Sequence, residues 1–582
     1  MTLWGMFNSK WSVDYEFTTN DVYPNPTPIC YVAENVDTGE VIRHWIDGTE
    51  KEPLYPTSKN DLFIAFYASA EMRCHIALGF QRPPSILDLF AEFRVTTNGR
   101  ITGGNNLLSA CRNYGISTES KEYKDAMRKR ILQGEPYSDA EKEEILNYCQ
   151  TDVTATTKLY HAMKNSGALN DIPNALMRGR YMWATAMMEF NGVPIDMEKY
   201  NKVKENWDSI KDRLIERTDV NYGVYENGVF KVDRFREYLE RKGIPWRLTP
   251  TGIPVTEAEY LKDQCRAYPE LREFYELRVS LGQLRLSKLG IGCDGRNRCM
   301  LSAFNTITGR NSPSSTKFIF GPATWIRNFI KPAEGMAISY IDFEQQEIAI
   351  AAALSEDDQL LSAYESGDPY LKIAKATGAI PPEGTKETHG EIRDKYKVAL
   401  LSMGYGAEPQ TIAPRAGMTL ADAKLFHKTH KLTYRKYWEW ITKFIDLGLT
   451  EGMVYTKQGW RYQTAGLIGV EGKPKSTRTL LNWPMQSVGS EILRQSVIVL
   501  LENGIKVCAP VHDAVLIEAT IDDIDQRVKD AQFIMEKVSE RICGVRIRTD
   551  ANTIKYPDTY KDKRGQVMWD MVWQILNEEP NA

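Results

Sequence analysis

The sequence predicts a mixed α+β protein of the α/β type, divided into several domains. Three observations predict it. The 582 residues exceed the roughly 250–300 that one hydrophobic core usually supports. Short β-prone runs and long helical patterns occur in both halves of the chain. A content of 42% hydrophobic and 26% charged residues is that of a globular protein with packed cores.

The formal net charge of −4 neither favours nor excludes nucleic acid, because such binding needs a local basic channel rather than a basic average. Nine dispersed cysteines, of which Cys293 and Cys299 are closest in sequence, show no metal-ligand spacing. They fit a reducing compartment and predict no zinc site. No run of 18 apolar residues and no basic-then-apolar leader occurs, so the expected location is the cytoplasm.

Taken in order, Trp11 to Phe17 (WSVDYEF) reads as a strand, with Asp14 and Glu16 two apart and therefore on one side. The halves of residues 26–46 meet at Asp37-Thr38-Gly39, a hairpin signal. Glu143 to Tyr160 suits a helix on which Tyr148 and Asp152 share a face. If that face meets Asp14 and Glu16, the group holds two metals and the phenol orients an attacking water; otherwise it is a charged helix surface. Asp88 to Ile116 is turn-rich and reads either as surface touching a single strand or as a plain loop.

A helix ending at Asn191-Gly192 carries a Met, Trp and Phe stripe suited to a core. Asp196 to Arg217 and Leu271 to Leu289 are long helical patterns, the second carrying Arg272, Arg278, Arg285 and Lys288. These basic groups lie along duplex phosphates or form a solvated face. Met336 to Ala353 reads as a strand, then Asp342, then Glu347 and a helix. Arg393 and Lys397 stand one helical turn apart and present two cations to an anion such as a triphosphate, with Tyr405 two turns later. The aromatic stretch His427 to Leu447 reads as packing rather than base stacking. A long helix after Arg478 has an apolar face of Ile492, Val497, Val499 and Leu500. Val507 to Ala519 is two β-prone halves with His512 and Asp513 at their junction. Asp342 and Asp513, 171 positions apart, repel if they converge unless cations lie between them. Two Mg²⁺ ions about 3.5–4 Å apart would relieve that repulsion and suit phosphoryl transfer.

DFEQQE at Asp342 to Glu347 resembles motif A of family A DNA polymerases (usually DYSQIE), and VHDA at Val511 to Ala514 resembles their motif C (usually VHDE). Thr308-Gly309-Arg310 with Ser312 resembles the TGRLS-type motif, and Arg393, Lys397 and Tyr405-Gly406 match RxxxKxxxxxxxYG. Arg478, Asn482, Pro484 and Gln486 resemble RxxxNxPxQ. Asp14 with Glu16, and Tyr148 with Asp152, resemble the first and third motifs of DEDDy 3′→5′ proofreading exonucleases. In the second motif Tyr67 and Glu71 stand for the usual Asn and Asp. The resemblance implies an RNase H-like exonuclease domain over residues 1–165, then a right-hand polymerase. Its parts would be thumb and linker (166–300), palm (301–360), fingers (361–475) and palm again (476–582).

By the same resemblance, Asp342 and Asp513 hold two Mg²⁺, while Asp14, Glu16, Glu71 and Asp152 hold two more, with Mn²⁺ as the alternative. Lys397 stabilises the triphosphate and protonates the leaving pyrophosphate, Arg393 adds charge, and Tyr405 with Leu401 borders the incoming pair. Glu347 blocks a ribose 2′-hydroxyl. Arg310 and His512 lie at the primer side, Arg478 holds backbone, and Asn482 and Gln486 meet template sugar or the minor groove. Expected partners are primer-template DNA, deoxynucleoside triphosphates and phage or host replication factors, with the chain a monomer. A phage-type polymerase without a 5′-nuclease domain, copying a phage genome in the host cytoplasm, is the expected setting. The rivals are an end-binding protein on the same fold and a mainly degradative exonuclease. Departures from the family pattern fall at Glu344 (usually Ser), Leu401 (usually aromatic), Ala514 (usually Glu) and Tyr370 (usually His).

Overall fold

Two sheets carry the architecture of the computed structural model, which describes residues 3–19, 25–283, 286–321, 323–467 and 477–578. The first comprises β1 (Ser9–Thr18), β2 (Thr27–Asn35), β3 (Val41–Trp45), β4 (Asp61–Ala65) and β5 (Ile86–Asp88). Their spatial order is β3-β2-β1-β4-β5. β1 runs antiparallel to β2 and parallel to β4, so hairpins build one half of the sheet and crossovers the other. The β2–β3 turn falls at the predicted Asp37-Thr38-Gly39, where Asn35 Oδ1 accepts the Asp37 and Thr38 amides. The Asp139–Asn165 helix starts at a reciprocal capping box between Ser138 and Glu141. It lies against β1, with Ser12 Oγ donating to the Val153 carbonyl at 3.3 Å.

The second sheet comprises β6 (Met336–Phe343), β7 (Lys506–Val511), β8 (Ala514–Thr520) and β9 (Thr549–Lys555) in the order β7-β8-β6-β9. All its pairings are antiparallel. Ala337, Ile338, Ile341, Val515, Leu516 and Ile517 are fully buried, as a sheet covered by helices requires. The Arg478–Glu502 helix contributes Ile492, Val497 and Leu500 to the core, while Val499 is only partly buried.

Gly179 holds the two halves together. On the Ile172–Asn191 helix, a Cβ at this position would stand 1.9 Å from the Ile86 carbonyl oxygen, so helix and β5 approach this closely only with glycine there. Next to it the buried Arg178 grips Glu92 through Nε (2.6 Å) and Nη2 (2.8 Å) and reaches the Gln458 carbonyl with Nη1. Met182 and Met188 of the predicted stripe are buried.

Two helix readings change. Asp196 to Arg217 is two helices, Met197–Glu205 and Trp207–Asp219, because the Asn206 side chain bonds back to the Lys202 carbonyl at 2.8 Å and competes with the ladder. Leu271 to Leu289 is the Arg272–Gln283 helix and then a short 3₁₀ turn, Leu286–Lys288. Of its basic residues, Arg278 lies over the Phe230 ring at 4.0 Å, Arg272 and Lys288 are exposed, and Arg285 lies outside the described residues. His430, Tyr434 and Tyr437 are buried in helix packing. No helix among the described residues is long and apolar enough to cross a membrane.

Candidate active sites

β6 ends one residue beyond Asp342, which has Ala514 directly opposite on β8 and Asp550 directly opposite on β9. Opposed residues of antiparallel strands share a face, so a carboxylate flanks Asp342 on one side and only a methyl group on the other. The two-residue turn between β7 and β8 is His512 and Asp513, with His512 at φ 58°. Burial pushes the Asp342 carboxyl up to about 7, and the Asp513 charge adds to it, with a smaller part from Asp550. Burial also raises Asp513, against the pull of Arg310 and His512. Asp342 Oδ1 is buried without a hydrogen-bond partner. Repelling carboxylates and an unsatisfied buried oxygen are what a hard divalent cation relieves, so these residues fit Mg²⁺.

Glu347 sits in the first turn of the Gln346–Ser355 helix, and burial raises its carboxyl. Asn482 Nδ2 reaches its Oε2 at 3.4 Å and Arg310 Nη2 its Oε1 at 3.6 Å. Gln486, one turn past Asn482, donates to the Tyr405 hydroxyl at 2.9 Å. Arg310 and His512 also line a cavity of about 430 Å³ with Tyr181, Phe318, Arg327 and Arg494. Arg478 begins its helix with its stem against Gly406, where an added Cβ would lie 3.1 Å from Arg478 Cγ.

Arg393 and Lys397 project from the Lys386–Gly404 helix over the buried Tyr370 ring, at 4.8 and 5.9 Å from its centroid. Arg393 also pairs with Asp368 and Asp394, each at 2.9 Å. Asp368 in turn caps the Pro369–Ala376 helix by accepting the Leu371 amide. Leu401 and Tyr405 are exposed on the same helix face or just past its end. Glu344, for which sequence reasoning offers no role, pairs with Arg548 Nε at 3.1 Å, and that guanidinium lies over the Tyr364 ring at 4.3 Å. Glu344 thus ties the end of β6 to the residue before β9.

At the other sheet, Asp14 and Glu16 stand on one side of β1, both partly buried. Burial and then the Asp152 charge push Asp14 up to about 8; burial and then Asp14 hold Glu16 well above the usual carboxylate range. Glu71, in the first turn of the Ser69–Leu78 helix, is 3% exposed, has Asp14 as its strongest charge neighbour, and leaves Oε2 without a partner. Tyr148 is buried beside Asp152, and burial first and that charge second raise its hydroxyl. Tyr67 takes a left-handed φ of 75° and sets its ring edge-on to Phe90 at 4.9 Å.

A thiol stands with two of the expected carboxylates. Among the described residues, the donors that lie within 4.8 Å of one another are those of Asp14, Glu16 and Cys149. Cys149 Sγ donates to the Asp14 carbonyl at 3.3 Å and approaches its Oδ2 at 3.5 Å. Asp152 instead contacts the Lys124 ammonium from the Lys121–Gln133 helix. The neighbours of Cys149 in this group come from a strand 133 to 135 positions earlier, so no spacing among the cysteines marks them. Its place three residues before Asp152 on a helix was the available signal. Lys124 and Asp550 carried none, since only the tertiary fold brings them to the sites.

The family model described as DNA polymerase family A matches residues 252–556. The thermostable DNA polymerase I of Thermus aquaticus is 24% identical over 330 residues, covering 52% of this chain and 39% of that protein. DNA polymerase I of Aquifex aeolicus (strain VF5) is 22% identical over 388 residues, 63% of each. The matched stretch therefore spans less than two thirds of these relatives' length. The fold is similar to a solved structure described as the POL domain of Pol1 from M. smegmatis in complex with DNA primer-template and dNTP. The TM-score is 0.73 at 16% identity, covering 94% of this chain and 96% of that one.

Proposed function

Because the chain belongs to DNA polymerase family A, we propose that it is a template-directed DNA polymerase with a 3′→5′ proofreading exonuclease at its N-terminal sheet. Residues 1–165 are then the RNase H-like nuclease domain, 166–300 the thumb and linker, 301–360 and 476–582 the palm, and 361–475 the fingers. The observation that carries the reading is the meeting of Asp342, with its unpartnered Oδ1, and Asp513 at the mouth of one sheet.

Two Mg²⁺ ions held by Asp342 and Asp513 would polarise the α-phosphate and the primer 3′-hydroxyl, with Mn²⁺ as a substitute. Lys397 and Arg393, both over the Tyr370 ring, neutralise the triphosphate, and Lys397 gives a proton to the departing pyrophosphate. Glu347, held by Asn482 and Arg310, fills the space a 2′-hydroxyl would need, which makes deoxynucleotides the substrate. Tyr405 is steadied by Gln486 beside the incoming pair, Leu401 offers that pair an apolar edge, and Arg478 binds backbone. Arg310 and His512 line the cavity that takes the primer end. In the nuclease, Asp14, Glu16, Glu71 and Asp152 are the metal-binding carboxylates and Tyr148 orients the attacking water. The chain acts as a monomer on primer-template DNA in the cytoplasm of a phage host, with replication factors as partners.

Primer extension and single-strand degradation test the two sites separately. Asp513→Asn should lower extension by roughly 10³-fold or more while degradation persists. Asp14→Ala should abolish degradation and keep extension. Unimpaired extension by the first variant would overturn the palm assignment, and continued degradation by the second the nuclease assignment.

A further inference from the structure

The stretch that presents Arg310 is strained and is held from outside. Ser302 takes φ 49°, Phe304 φ 56° and Gly309 φ 75°. Left-handed conformations of residues other than glycine persist only where surrounding contacts enforce them. Some of those contacts come from the N-terminal region. Arg94, on the Leu89–Thr97 helix that follows β5, donates through Nε to the Phe304 carbonyl at 3.2 Å and through Nη2 to the Asn305 carbonyl at 3.3 Å. Asn98, which ends that helix, donates through Nδ2 to the carbonyls of Ile307 and Arg461, each at 2.7 Å, while its Oδ1 accepts Arg94 Nη2 at 3.2 Å. Both amide hydrogens and the amide oxygen are thus used, and the residue is fully buried. Behind it the chain presses on the hairpin of Met453–Tyr455 and Arg461–Gln463: the Gln463 amide donates to the Asn98 carbonyl at 2.8 Å, and a Cβ on Gly99 would stand 2.4 Å from the Gln463 carbonyl oxygen. Arg310 is tied to the held stretch through Thr306, whose Oγ1 accepts the Arg310 amide at 2.9 Å and whose own amide donates to the Arg310 carbonyl at 3.3 Å. From the other side, Ser490 and Arg494 donate to the carbonyls of Thr308 and Gly309, and the Trp460 and Trp483 indoles share the Ile307 carbonyl with Asn98.

We propose that Arg94 and Asn98, which lie outside the polymerase part of the chain, are positioning residues for Arg310 in primer extension. They fix the backbone of 304–307, and the Thr306 clasp passes that placement to Arg310. The guanidinium is then kept between Glu347, 3.6 Å away, and the cavity that takes the primer end. Without the two side chains the strained stretch relaxes and Arg310 moves with it. A displacement of about 1 Å in a group that meets the substrate is enough to slow a reaction by up to about 100-fold. The inference rests on the polymerase reading of the second sheet and deepens it by making extension depend on the N-terminal region, through contacts separate from the nuclease carboxylates.

Kinetics of single and double substitutions in the full chain test it. Asn98→Ala should lower kcat for primer extension by about 10- to 100-fold, with the KM for deoxynucleoside triphosphate and the rate of single-strand degradation each within about 2-fold. In an Arg310→Ala background the same substitution should add less than about 2-fold, because the group it positions is already gone. Equal losses in both backgrounds, or a parallel loss of degradation, would mark a general structural defect and overturn the proposal. Normal extension by Arg310→Ala alone would overturn it too. Should Asn98→Ala not fold by circular dichroism, Arg94→Lys decides by the same comparison, since it keeps the cation and loses the fork across the Phe304 and Asn305 carbonyls. A loss confined to chains that retain Arg310 supports the positioning role, and an equal loss without Arg310 overturns it. Asp513→Asn separates the two readings. Unimpaired extension by that variant sinks the polymerase reading and this inference with it, whereas Asp513-dependent extension with additive losses sinks the positioning role alone.

Discussion

Tyr370 shows how one substitution is absorbed at residue scale. The phenol ring of Tyr370 lies under both Arg393 and Lys397, while Asp368 and Asp394 hold Arg393 by charged hydrogen bonds, so the aromatic surface is the contact the two cations share. Tyr370→Leu should therefore raise the KM for deoxynucleoside triphosphate by about 3- to 10-fold with little change in kcat. Tyr370→Phe, which keeps the ring, should stay near the unsubstituted value; equal damage from both would show that the hydroxyl matters instead. Around Asp342 a comparable exchange is visible. Ala514 removes the carboxylate usual in motif C, while Asp550 supplies one from the opposite flank. Asp342, Asp513 and Glu347 were legible because each stands at a strand end or helix start, a local pattern. Asp550 was not, because nothing in TDANTIK marks it until β9 is paired.

Among the elements, the Ile172–Asn191 helix is the one whose placement decides most. It is anchored to β5 by the absent side chain of Gly179 and to Glu92, on the Leu89–Thr97 helix, by the buried Arg178 pair. Gly179→Ala would force the helix off the Ile86 carbonyl and should cost about 1–3 kcal/mol, read as a lowered urea midpoint. Because this contact joins the first sheet to the rest, proteolysis should then release the N-terminal region faster, and an unchanged cleavage rate would argue against the anchor. The helix itself was predicted from its apolar stripe and its Asn-Gly stop. The break at Asn206 was not, since a side chain bonding back to the Lys202 carbonyl leaves no trace in hydrophobic periodicity.

For the molecule as a whole, Glu518 joins elements distant in the chain. Its buried carboxylate takes two bonds of 3.0 Å from Arg296 and one ion pair from Lys506. Burial alone would raise its carboxyl, but Arg296 and Lys506 bring it below the ordinary 4.5. The folded value is thus the depressed one, so the stabilisation is fully present above pH 4.5 and is lost as pH falls through the folded value. Glu518→Gln should destabilise the chain by about 3 kcal/mol at neutral pH. The gap in urea midpoint between variant and unsubstituted chain should shrink in acid below that window. A gap that stays constant with pH would mean that the ion pairs contribute nothing.

Sequence alone determined the strand or helix character of the stretches that carry the motifs, and that acidic groups stand on strands in two separate regions, because apolar periodicity and turn chemistry act over a few residues. It also determined the family-like order of the motifs. Only the tertiary structure decided which partners these groups meet: Asp550 beside Asp342, Arg548 on Glu344, Cys149 against Asp14, and Lys124 on Asp152. Those choices depend on strand register and on the approach of helices to sheets, which burial of the whole core sets and no local pattern records.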